Sequence, residues 1–190
     1  MLSRPLALVS AVLAGVLTGG MVLIEVVLVP FWRGSPPAEF RAWFAAHSGR
    51  LRALLVPLGA ATGIACTASA AVRVAEGRRG RPASVAAAGA AAGVIAVTVT
   101  VNEPANHRFT AGTLTDAETT ELLHRWARWH HVRVALGLTA TVAAGRALLD
   151  TGDRVGRSAP AGWADPDAFG RRPSRGRQGR GRWPGLERSV

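Results

Sequence analysis

Residues 6–29 read LALVSAVLAGVLTGGMVLIEVVLV, and Glu25 is the only charge in the run. A helix needs about 20 predominantly apolar residues to cross a hydrocarbon core, and this run is longer than that. Arg4 ahead of it and its many small residues also suit a secretory leader. The apolar run of such a leader stops at about 7–15 residues, so the segment reads as a retained membrane anchor. Pro30 removes a backbone donor and is expected to end the helix.

Three more runs of the same kind follow. Leu51 to Val74 reads as a second span, kinked at Pro57 and with Arg73 able to snorkel at its end. Ala83 to Val101, rich in Ala and Gly, is the third, and Val132 to Leu149 the fourth. Ser35 to Arg50 carries Phe40, Trp43, Phe44 and His47 at three- and four-residue spacing. It is either an interfacial amphipathic helix, capped by Ser35, or the solvated start of the second span. Asn102 to Leu114 reads as a polar connection broken at Pro104. Thr115 or Asp116 then caps a helix with Glu118 and Glu121 early in its course, running through Trp126, Trp129 and His130 into the fourth span. The fold class expected is therefore all-α: a four-transmembrane-helix bundle over residues 1–150.

Composition supports this division. Hydrophobic residues make up 48% of the chain, although the last forty positions are very polar. Residues 151–190 are mostly Gly, Pro, Arg, Ser and Asp, too polar to offset ordering entropy, and are expected to be a disordered tail. The net charge of +11 would suggest nucleic acid if it were spread over a folded surface. Most of it lies in this tail and in the Arg78–Arg81 loop, where it reads as a topology signal, so no specific nucleic-acid partner is expected. By the positive-inside tendency both termini are cytoplasmic, in a multi-pass protein of the cell membrane, with the lipid bilayer as its partner. The single Cys66 excludes an intrachain disulfide and reads as structural.

Ionisable groups inside a bilayer are costly and usually face the bundle interior, so they mark candidate sites. At 100° per residue Glu25 shares a face with Ala14, Thr18 and Met21, a stripe suited to close packing. Gly15 and Gly19 form a GxxxG pair beside it. His130 shares its face with Gly137, Thr141 and Ala144, whereas His131 falls with Leu138 and Val142 toward lipid. Trp126 and Arg133 stack along one face with Trp129 adjoining, and the two tryptophans suit an interfacial aromatic belt. Glu25, His47, Asn102, Asn106, His130 and Arg133 all fall near one membrane face, the outer one in this orientation. The carboxylate and imidazoles of Glu25, His47 and His130 would suit a transition metal as cofactor.

Several of these elements form a pattern: Val29-Pro30, Trp43-Phe44-Ala45-Ala46-His47, Asn102-x-Pro-x-Asn106 and Trp126-x-x-Trp129-His130-x-x-Arg133. Together, over residues 5–150, they resemble the anthrone oxygenase-like family of small four-helix membrane proteins. The resemblance implies an oxygenase role in aromatic polyketide metabolism for some members, in which dioxygen converts the activated methylene of an anthrone to a quinone carbonyl. It further implies His130 or Glu25 as base or ligand, and Asn102, Asn106 and Arg133, with Trp129, around an apolar aromatic substrate. The residues alone are equally compatible with a non-catalytic membrane subunit for permeation or partner binding.

Overall fold

The computed structural model describes residues 3–77 and 81–152. From residue 153 on, the tail expected to be disordered lies outside the described residues, as do Arg78 and Arg79. Four long helices carry the described chain: α1 (Ser3–Gly34), α2 (Pro37–Ala75), α3 (Arg81–Thr110) and α4 (Asp116–Gly152). Each is long and apolar enough to cross a membrane, and no strand occurs among the described residues. The all-α membrane bundle is as the sequence indicates.

Short connections make successive helices antiparallel, and each helix packs chiefly on its two neighbours in the ring α1–α2–α3–α4. Positive backbone φ at Gly77 and Gly112 turns the chain after α2 and α3. A capping box starts α4. The Thr115 N–H donates to Glu118 Oε2 at 2.8 Å, and the Glu118 N–H donates back to Thr115 Oγ1 at 3.3 Å. Ser35 does not cap α2; its hydroxyl donates to the Phe31 carbonyl at 2.9 Å and so closes α1 instead.

Two expected breaks are absent. Pro30 and Pro104 sit inside continuous helices, each just after a single wide π turn, Ile24–Leu28 in α1 and Thr98–Asn102 in α3. The Val29 N–H reaches back five residues to the Ile24 carbonyl, and the Glu103 N–H to that of Thr98. The proline follows immediately in both helices. Its missing N–H thus falls where the ladder changes register, so the helix absorbs the proline instead of ending. Asn102 to Thr110 is consequently the last part of α3, not a connection.

The 39 residues of α2 would span about 58 Å at 1.5 Å per residue, close to twice the ~30 Å of a hydrocarbon core. Exposed apolar side chains mark the lipid-facing band: Leu8 to Val27 on α1, Leu54 to Val74 on α2, Val85 to Val99 on α3 and Trp129 to Leu149 on α4. The beginnings of α2 and α4 and the end of α3 therefore project beyond it. Pro37 to Arg50 is the start of α2 and continuous with the span, one of the two forms expected for Ser35 to Arg50. This projecting end has an aromatic core of its own, in which Trp32, Phe40, Phe44, Phe109 and Trp126 meet at ring distances of 5.0–5.8 Å. Arg41 ties it together from outside, pairing with Asp116 at 2.9 Å and donating to Thr119 Oγ1 at 2.7 Å.

Within the membrane, small residues let the helices approach, as lipid-embedded packing requires. Ala14, Ala90 and Ala140 form one cluster, and Cys66, Ala87, Ala91 and Ala144 another. The two faces derived by helical arithmetic meet here: Thr18 and Thr141 are hydrogen-bonded at 3.0 Å between α1 and α4. A Cβ on Gly137 would come within 2.5 Å of Met21 Cε and 2.8 Å of Thr18 Oγ1. Gly137→Leu is thus expected to destabilise the bundle by about 1–3 kcal/mol through overpacking, read from thermal unfolding in detergent. The GxxxG pair packs only in part: a Cβ on Gly15 would touch Thr141, and one on Gly19 would touch nothing. Arg73 does not snorkel. It is fully buried and donates to the Ala147 carbonyl of α4 at 2.7 Å.

Candidate functional site

A cavity of about 370 Å³ lies between the helices in the half of the bundle nearer the projecting end. That is within the range of small-molecule sites, roughly 300–1,000 Å³. Its walls are mostly apolar: Leu17 and Ile24 from α1, Leu55, Val56, Gly59 and Ala60 from α2, and Val94, Ile95 and Val99 from α3. Trp32, Phe44 and Trp126 of the aromatic core also line it. Apart from Thr98, the polar groups gather at one end: Ser48 and Arg52 from α2, Glu103 and Asn106 from α3, and Arg133 from α4.

These polar groups form a chain across three helices. Arg52 Nη1 lies 3.1 Å from Glu103 Oε2, and Asn106 Nδ2 donates to Glu103 Oε1 at 3.1 Å. The Trp126 indole N–H donates to Asn106 Oδ1 at 2.9 Å. Glu103 and Asn106 share a face only because α3 continues through Pro104, with the π turn at Thr98–Asn102 setting that face's direction. Arg133 closes the polar end. It is 8% exposed, sits within the electrostatic reach of Glu103, and its buried Nε has no hydrogen-bond partner. A buried guanidinium on the wall of a mostly apolar cavity can donate to a ligand oxygen at little further desolvation cost.

Beside the cavity lies a second group. His130 is fully buried, and its Nε2–H donates to the Met21 carbonyl of α1 at 3.0 Å. Its Nδ1 is buried and has no hydrogen-bond partner. The ring is stacked on Trp126, with centroids 4.9 Å apart and 18° between planes. Glu25 Oε2 stands 4.0 Å from His130 Nε2, and Glu25 Oε1 stands 2.6 Å from His131 Nε2. His131, assigned to lipid by helical arithmetic, therefore pairs with Glu25, although half of its side chain is exposed. Asn102 is fully buried, with neither amide atom hydrogen-bonded.

The residues singled out in the sequence thus separate. Asn106 and Arg133 line the cavity. Glu25, His130 and Asn102 do not, and of these only His130 touches a lining ring, that of Trp126. Trp129 is partly exposed at the lipid boundary, in keeping with an aromatic belt, whereas Trp126 is buried in the aromatic core. His47 lies apart, its ring stacked on Trp43 at 4.6 Å and its Nδ1 2.8 Å from the Trp43 carbonyl. The expected donors Glu25, His47 and His130 do not converge. Among the described residues no three His, Cys, Asp or Glu side chains are placed to hold a metal ion. Glu103, Arg52 and Trp32 line the cavity without having been singled out. Once α3 is known to continue through Pro104, the i,i+3 spacing of Glu103 and Asn106 is the signal that reveals the first.

No curated protein and no solved structure matches the chain. The family model described as anthrone oxygenase matches residues 40–143, a stretch that holds Glu103, Asn106, Trp126, His130 and Arg133 and leaves out α1. That match covers more than half of the chain, and this multi-pass membrane protein belongs to the anthrone oxygenase family.

Proposed function

We propose that the chain oxidises an apolar phenolic or anthrone-type substrate with dioxygen inside the α1–α4 cavity. The observation that carries this reading is the mostly apolar cavity with the buried Arg133 on its wall at the polar end. Anthrone and dioxygen give anthraquinone and water: the methylene carbon loses two hydrogens and gains one oxygen atom, and the other oxygen atom leaves as water. The first demand on the protein is to favour loss of a methylene proton as negative charge develops on the carbonyl oxygen. Arg133 and Asn106 are the donors at the cavity's polar end that face such an enolate oxygen. Glu103 is the carboxylate lining the same end and takes the proton. Dioxygen, being apolar, dissolves readily in the remaining walls.

His130 and Glu25 act through others in this scheme. His130 supports the Trp126 ring from behind and ties α4 to the Met21 carbonyl of α1, so it positions the cavity wall. The arginines at 78, 79 and 81 and in the tail support cytoplasmic termini, which would place the cavity near the outer face of the cell membrane.

Glu103→Gln separates these roles. It keeps the shape and the hydrogen bond to Asn106 but removes the base, so oxygen consumption with anthrone is expected to fall by about 10²–10⁴-fold. His130→Gln is expected to raise KM with a smaller fall in kcat. If Glu103→Gln retains full activity and His130→Gln abolishes it, Glu103 is not the base and His130 takes that part. If neither the wild type nor either variant consumes oxygen, the non-catalytic reading stands instead.

A further inference from the structure

Val56 of α2 and Val99 of α3 both line the cavity, yet they are 47% and 62% exposed. Side chains that face a hollow and the outside together frame a mouth, so the cavity opens between α2 and α3. Glycines on α2 show how the gap is shaped. A Cβ on Gly63 would lie 2.7 Å from Ile95 Cδ1, so the helices are pressed together there. One turn nearer the projecting end, a Cβ on Gly59 would meet nothing within 4 Å. The two helices thus touch at Gly63 and again where Arg52 meets Glu103, and the gap lies between these contacts, around Gly59.

This mouth falls in the lipid-facing band, flanked by the exposed Leu54 and Ile64 of α2 and Ile95 of α3. Toward the projecting end the character of the lining changes: Trp32, Phe44 and Trp126 of the aromatic core cover the hollow there, and its edge is the charged, half-exposed Arg52. Charge at the inner end also restricts what can enter. Arg52 and Arg133 oppose one carboxylate, Glu103, leaving one positive charge over.

We propose that the gap between α2 and α3 is a lateral portal, through which a flat apolar molecule bearing one ionisable oxygen passes from the bilayer leaflet into the cavity. The molecule slides in past Val56 and Val99 with its apolar edge against Gly59 and Ile95, and its oxygen ends at Arg133. This inference rests on reading the cavity as the substrate site.

The test uses the full chain in lipid nanodiscs and two probes: 2-naphthol, which partitions into lipid, and 2-naphthol-6-sulfonate, which stays in water. Binding is read as quenching of tryptophan fluorescence after rapid mixing. The wild type is expected to bind 2-naphthol and not the sulfonate. Val99→Trp and Val56→Trp, at exposed positions that tolerate bulk, are each expected to slow association about tenfold by narrowing the mouth. Phe40→Leu, which loosens the aromatic core without lining the cavity, is expected to leave the rate unchanged. Equal binding of both probes, or a rate raised by Phe40→Leu and indifferent to both tryptophans, would overturn the portal. Binding of 2-naphthol that follows the portal variants, in nanodiscs that consume no oxygen with anthrone, would keep the portal and remove the oxygenase reading.

Discussion

Arg133→Met is expected to lower turnover by about 10²–10³-fold, the effect of removing one donor from a site that stabilises developing oxyanion charge. The same change is expected to leave thermal stability unchanged or to raise it slightly. Arg133 is a buried cation whose Nε has no partner, so its presence costs desolvation that methionine, of similar length, would not. Glu103 is not stranded by the loss, because Arg52 stays 3.1 Å from it. Opposite movements of activity and stability identify a residue retained for its chemistry. Steady-state oxygen uptake and an unfolding curve on one preparation check both. A variant that loses activity and stability together would make Arg133 a structural residue.

Trp32→Ala carries the largest expected cost to stability, about 3–5 kcal/mol for a fully buried large aromatic. The ring is 1% exposed and lies 5.5–5.8 Å from those of Phe40, Trp43, Phe44 and Trp126. It enters the aromatic core from the end of α1, beyond Pro30, and among the described residues is the buried ring that this helix contributes. Truncation would therefore detach α1 from the projecting ends of the other three helices. Trp32→Phe keeps part of the ring contact and is expected to cost about half as much or less. Denaturant unfolding in detergent, followed by far-ultraviolet circular dichroism, reads the difference. Equal, small effects of the two changes would mean that the aromatic core does not hold the projecting end.

The membrane spans were legible because length and apolarity alone decide them. The contact between α1 and α4 was legible as well: 100° steps put Thr18 and Met21 on one face, Gly137 and Thr141 on another, and the two faces meet. The breaks at Pro30 and Pro104 were misread, since a proline shows that one hydrogen bond is missing but not that a π turn takes up the defect. That misreading hid Glu103, which looked like part of a loop. Helical arithmetic also gives the direction of a Cβ and not the reach of a side chain, which is how Glu25 comes to pair with His131. His47 was grouped with Glu25 and His130, yet its ring stacks on Trp43 of its own helix. Rotation of α2 about its axis is fixed by packing of Phe40 and Phe44 on the aromatic core, which no pattern within α2 displays. Arg73 looked like a snorkelling residue because its acceptor, the Ala147 carbonyl, lies on another helix.

Oxygen uptake with anthrone by the full chain in nanodiscs, with product identified alongside, tests the central claim most directly. One dioxygen consumed per anthraquinone formed, well above the rate with empty nanodiscs and reduced to that rate in Arg133→Met, is the result predicted. Uptake no faster than in empty nanodiscs, or uptake that Arg133→Met leaves unchanged, would contradict it.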